Sequence, residues 1–188
     1  MAADLRRVPG SPRIWYQGRT NDCGPHALAI AADCLRPGEV APEMTLRLLR
    51  PLRVPGVGAT PPWSLALVAP RIGLSLDGRF FGRIGNVRAA ICAGRPVLVI
   101  VRPDEASSPP WYALHYRVVL GYRDDPALPG GGELFFACSG CGRPPHRDDR
   151  PGNMSVDYRS FERQWRTWLT PRWYGVVARL EERGSARR

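Results

Sequence analysis

Apolar positions recur at helical spacing through the first half of the chain and give way to short apolar runs in the second. In Pro25 to Leu35, the residues Leu28, Ala31, Ala32 and Leu35 fall on one face, and Pro37-Gly38 ends the helix. A short helix is predicted over Met44 to Leu49. Thr60-Pro61-Pro62 offers a hydroxyl N-cap followed by prolines that the first helical turn tolerates. The stripe Leu65, Val68, Ala69 and Ile72 follows, and Gly73 stops it. Asn86 caps a further short helix that ends at Gly94.

Val97 to Val101 is continuously apolar and β-branched, the pattern of a strand buried on both faces. Leu114 to Tyr122 and Leu134 to Cys138 read as two more strands, joined by a turn rich in Asp, Pro and Gly at 124–132. Cys141 to Asn153 is a polar loop. Ser155 then opens a helix whose Tyr158, Phe161, Trp165 and Trp168 share one face, and Trp173 to Leu180 supplies a last strand. Helices first and strands second predict an α+β fold with the helices packed on an antiparallel sheet. With no repeat or linker, residues 13–182 are expected to form one domain, with 1–12 and 183–188 as flexible ends.

Composition narrows the classes. The 188 residues are 44% hydrophobic and 23% charged, ordinary for a globular chain. All 27 basic residues are arginine, which with abundant Ala, Gly and Pro reads as a GC-rich coding bias. The net charge of +10 favours acidic partners, but scattered arginines without an aromatic-basic motif argue against specific nucleic-acid binding. No apolar run reaches the roughly 18 residues of a membrane helix. Met1 to Tyr16 is broken by Arg6, Arg7, Pro9, Pro12 and Arg13, so it does not read as a secretory signal. A cytoplasmic location without membrane partners is the expectation; the oligomeric state stays open. Five cysteines in a domain of this size do not read as a disulfide framework.

The sharpest local chemistry lies in Gln17 to Ala27, which reads Q-G-R-T-N-D-C-G-P-H-A. Cys23 sits at a predicted helix start, where unsatisfied amide groups favour a thiolate. Gly24 lets backbone approach a substrate closely, and Gln17, six positions before Cys23, can donate its amide to an oxyanion. Of the three histidines, His26 shares the helix with Cys23, His146 lies in an irregular loop and His115 begins an apolar strand. A rigid strand suits a base that must hold one geometry. Each residue alone is more often an ordinary core group; Gln17, Cys23 and His115 together point to nucleophilic cysteine chemistry.

Gln-x5-Cys-Gly at a helix start, then Gly94-Arg95-Pro96-Val97, then His115-Tyr116 through Gly121-Tyr122, resembles the bacteriocin-processing cysteine peptidases. These are papain-like domains that cut double-glycine leaders, and the resemblance spans residues 15–180, with Phe161 and Trp165 matching the helix before the last strand. It implies a papain-like fold, Cys23 as nucleophile, His115 as base, and Gln17 with the Cys23 N–H as oxyanion donors. The family carries Asp or Asn after the strand that follows the His strand. Here Ser139 occupies the expected orienting position, with Asp124 or Asp125 as substitutes from another direction.

The resemblance implies hydrolysis of a peptide or amide bond. A papain-like acyl- or peptidyl-transferase acting on carrier-bound acyl groups is the alternative, and a binding module without catalysis is a second. Cys138-Ser139-Gly140-Cys141 with His146 invites a metal or a redox reading. Structural zinc needs four ligands, and no second pair completes the set, so neither metal nor cofactor is expected.

Overall fold

The computed structural model describes residues 4–18, 20–103, 114–146 and 149–180. Its strands are β1 (Leu5–Arg7), β2 (Leu74–Arg79), β3 (Val97–Val101), β4 (His115–Asp124), β5 (Gly132–Ala137), β6 (Met154–Asp157) and β7 (Tyr174–Arg179). The helices are α1 (Cys23–Leu35), α2 (Pro42–Leu49), α3 (Pro62–Val68), α4 (Ile84–Cys92) and α5 (Tyr158–Trp165). All seven strands join one antiparallel sheet in the order β2-β7-β3-β4-β5-β6, with β1 paired to β4. This is the α+β architecture that the order of periods predicts.

The strand β3 is buried at every position, as its unbroken apolar run requires. One edge of β4 is shared by two partners. Val101 to Val97 pair with His115 to Val119, and Leu5 to Arg7 then pair with Arg123 to Gly121. On the other edge, a register shift between Val119 and Gly121 marks a bulge against β5. The helix α1 is buried nearly all round, and its Ala27, Ala29, Ala31 and Ala32 let it lie close against α2 and β4.

The helix α5 is pinned from one side. Phe161 stacks between Phe136, at 5.7 Å, and Trp165, at 4.8 Å, and the Trp165 indole donates to Trp173 O at 2.7 Å. Burying each such aromatic stabilises the fold by about 2–3 kcal/mol. Among the described residues, no helix is long and apolar enough to cross a membrane.

Several elements depart from expectation. The segment expected as a flexible N-terminus contains β1, because Val8 is fully buried and its N–H donates to Leu120 O at 2.8 Å. The corresponding C-terminal segment, 183–188, lies outside the described residues. After Gly73 the chain forms β2, which uses Leu74 to reach the core while the strand's far end is exposed. Ser155 belongs to β6 rather than a helix; Asp157 caps α5 by accepting from Ser160 N at 2.9 Å. Trp168 lies beyond the end of α5 and is 72% exposed, not on its packed face. Thr60 is not the cap of α3; Pro61 holds that position, and Thr60 O accepts from the Tyr116 hydroxyl at 2.9 Å.

Candidate active site

Cys23 is the first residue of α1, and its position is set by the loop before it. Asp22, at the N-cap, makes no side-chain cap; its carboxylate instead accepts from Arg53 Nη1 at 2.6 Å. The Arg53 guanidinium also donates to Asn21 O at 2.8 Å and Gly58 O at 2.6 Å, while Asn21 Nδ2 donates to Val57 O at 2.9 Å. Burial opposes the Asp22 charge, but bonds from Thr20 and Arg53 hold its carboxyl below the usual range. One arginine thus clamps the two residues that lead into the cysteine.

Gly24 serves a different purpose from the one expected. A Cβ there would lie 2.7 Å from Thr60 Cβ, so the glycine lets α1 close on Thr60. His26, in the same turn, is buried, with Nδ1 2.9 Å from Asp22 O.

His115 opens β4, opposite Val101, on the strand against which α1 packs. Its ring and the Cys23 thiol act on each other's charge across the α1–β4 contact. Burial alone would push the Cys23 thiol up; the nearness and charge of His115, with N–H groups of Tyr116 and Gly24, outweigh it and bring the thiol down. Burial alone would lower His115, but its bond to Cys138, the nearness of Cys23 and the charge on both sulfurs raise it to about 9. The two opposite displacements are those of a thiolate–imidazolium pair.

Around the ring, the structure departs from the expected orienter. The Sγ of Cys138 lies 3.4 Å from His115 Nε2. Ser139, one residue on, turns the other way: its hydroxyl donates to Gln17 Oε1 at 2.7 Å, and its carbonyl accepts the Gln17 backbone N–H at 2.9 Å. Successive residues of an extended segment point to opposite sides, so only one of the two can face the ring. Asp124 is at the far end of β4, held by Arg88 at 2.5 Å and the Tyr158 hydroxyl at 2.8 Å, and Asp125 caps the turn at Ala127. Gly140 lies edge-on to the imidazole, where a Cβ would sit 2.8 Å from His115 Cε1.

Gln17 is held from two sides, by Ser139 and by Thr20, whose hydroxyl donates to Gln17 O at 2.7 Å. Beyond its two bonds with Ser139, Nε2 donates to Thr20 O at 2.8 Å. Since a carboxamide nitrogen carries two hydrogens, one remains for another acceptor.

Cys138, Cys141 and His146 do not converge on a metal. Among the described residues no group of three or more His, Cys, Asp or Glu is placed to hold one. Both thiols are unbridged, and Asn153 knits their segment: Oδ1 accepts from Cys138 N at 2.9 Å, while Nδ2 donates to Cys138 O at 3.0 Å and Cys141 Sγ at 3.3 Å. Sequence reasoning placed Cys138 at the end of β5 but assigned the ring to its neighbour. Asn153, far along the polar loop, carried no signal.

A groove of about 210 Å³ is lined by Arg102, Arg163, Arg166, Trp168 and Leu169 together with Leu114, which precedes His115 in the chain.

No family model matches the sequence, and no curated protein matches it either. Solved structures do match. One is a double glycine motif protease from an AMS/PCAT transporter, in complex with the leader peptide, 13% identical at a TM-score of 0.56. That match covers 94% of this chain and 99% of the other. The peptidase domain of Streptococcus ComA, a bifunctional ABC transporter of a quorum sensing pathway, is 16% identical with a TM-score of 0.58, covering 88% and 96%. A protein from Bacillus anthracis described as a C39-like peptidase is 12% identical with a TM-score of 0.60, covering 95% and 100%. The chain therefore has the papain-like fold of these peptidase domains over nearly its whole length.

Proposed function

We propose that this chain is a cysteine peptidase that cleaves a peptide or amide bond through an acyl-enzyme on Cys23. The observation that carries the reading is the pairing of Cys23, at the start of α1, with His115, at the start of the strand β4 on which α1 packs, each acting on the other so that the thiol is lowered and the imidazole raised. The fold it shares with double-glycine peptidases supports the same conclusion.

The Cys23 thiolate attacks the scissile carbonyl, and the C=O electrons move to oxygen. The remaining Gln17 Nε2 hydrogen and the Cys23 backbone N–H stabilise that oxyanion. The His115 imidazolium gives its proton to the departing amine as the C–N bond breaks and the thioester forms. Neutral His115 then takes a proton from water, which attacks the thioester, releases the acid and restores the Cys23 thiolate. Ser139 acts one step removed, by holding the Gln17 amide.

The substrate is a peptide, and the arginine-lined groove beside Leu114 favours acidic side chains near the cut. The test is intact mass and product analysis after incubation with acidic peptides containing paired small residues. Wild type should pass through a covalent acyl adduct and release two peptides, whereas Cys23→Ala should do neither. Products formed only with an added amine acceptor would show acyl transfer instead, and no adduct with any peptide would leave a binding module.

A further inference from the structure

Two groups flank the His115 ring, and the peptidase reading uses only Cys23. On the other side, Cys138 Sγ stands 3.4 Å from His115 Nε2, 3% exposed as a residue, at the end of β5. Its placement is built. Asn153 bonds both the N–H and the carbonyl of Cys138, and the Cys141 thiol donates to the same carbonyl at 3.5 Å. Gly140 leaves the ring room to lie against this turn.

A second observation bears on the charge of this sulfur. Arg117, two residues along β4 from His115, is 2% exposed. Its Nη1 donates to neutral Gln164 at 3.0 Å, its Nε lacks a partner, and no carboxylate pairs with it among the described residues. Buried charges are ordinarily compensated. The Arg117 charge also bears on Cys138, lowering that thiol after Cys141 and His115.

We propose that Cys138 is a positioning residue for His115, a thiolate that fixes the imidazole through Nε2 where a carboxylate would otherwise stand. The bond at Nε2 leaves Nδ1 for Cys23 and stabilises the protonated ring that the leaving amine requires. The titratable and charged groups that bear on the ring and its sulfur are Cys23 from α1, Cys138 and the protonated Cys141 from the end of β5 and its turn, and Arg117 from β4 itself. Of the two thiols Cys138 is the acidic member, lowered by the nearness of Cys141 against its burial and then by His115; Cys141 is raised.

The inference rests on the peptidase reading for its catalytic meaning, but its test does not. In a Cys23→Ala background, NMR titration of the three histidines isolates the effect of Cys138 on His115, whether or not the chain cleaves peptides. His115 should still titrate well above about 6.5, the ordinary histidine value. Adding Cys138→Ser or Cys138→Ala should bring it to about 6.5 or below, because burial then acts alone. The ultraviolet thiolate absorbance at neutral pH should disappear with it, and Cys138→Asp should keep His115 high. Serine matches the thiol in size and decides the case if alanine disturbs folding. A His115 titration that Cys138→Ser leaves unchanged would overturn the proposal.

Discussion

The Ser139 hydroxyl donates to Gln17 Oε1 at 2.7 Å, and the Ser139 carbonyl accepts the Gln17 N–H at 2.9 Å. Two bonds between residues far apart in the chain fix the Gln17 carboxamide, the donor proposed for the oxyanion. Gln17→Ala should lower kcat on the order of 10²–10³. Ser139→Ala should cost less, about tenfold, because it releases the amide without removing it. In the double variant the loss should equal that of Gln17→Ala alone; additive losses would separate the two residues.

The pH dependence follows from the Cys23–His115 pair. The rate should rise as Cys23 ionises, below the ordinary thiol range, and fall as His115 loses its proton near about 9. The raised His115 also couples folding to pH. Its contribution to stability is full below the unfolded value of about 6.5 and is lost as pH rises through about 9. The lowered thiols of Cys23 and Cys138 contribute with the opposite sign over the same window, so urea midpoints in wild type should show no steep decline with pH between those limits.

Gly140→Ala tests the close approach at the ring. The added Cβ would meet His115 Cε1 at 2.8 Å and Nε2 at 3.2 Å, so the imidazole must move off its partners. Activity should fall by at least about tenfold. Gly85→Ala, where nothing lies within 4 Å, should leave activity unchanged and controls for the loss of a glycine.

Arg53→Ala removes the clamp on Asn21 and Asp22. Its ion pair with Asp22 is only 17% exposed on either side, so the loss leaves a partly buried carboxylate. Unfolding free energy in urea should drop by about 2 kcal/mol. The same comparison at a pH low enough to protonate Asp22 should narrow the difference, since its lowered carboxyl contributes only while ionised.

Much of this architecture is legible from apolar spacing. Long runs such as Val97–Val101 and strong stripes such as Tyr158, Phe161 and Trp165 have one low-energy placement. What escapes are β1, β2 and β6, each short or half exposed, whose pairing comes from tertiary contact rather than their own pattern. The site divides in the same way. Cys23, Gln17 and His115 stand out through helix position, spacing and scarcity. Choosing Cys138 over Ser139 for the ring requires knowing which side each residue faces at a strand end, and a shift of one residue reverses it. Gly24 shows the complementary limit: its lack of a side chain is visible in sequence, but the Thr60 it admits is not.

The central claim, that His115 activates Cys23, is tested most directly by iodoacetamide at neutral pH with each cysteine followed by peptide mapping. Cys92 is exposed, whereas Cys23 is 6% exposed and Cys34, also buried, is raised by its burial and by Asp33. Exposure alone would therefore label Cys92 first. The account predicts that Cys23 is modified before Cys92 and Cys34 in wild type, and that His115→Ala removes its lead. Labelling of Cys92 ahead of Cys23, with a Cys23 rate unaffected by His115→Ala, would contradict it.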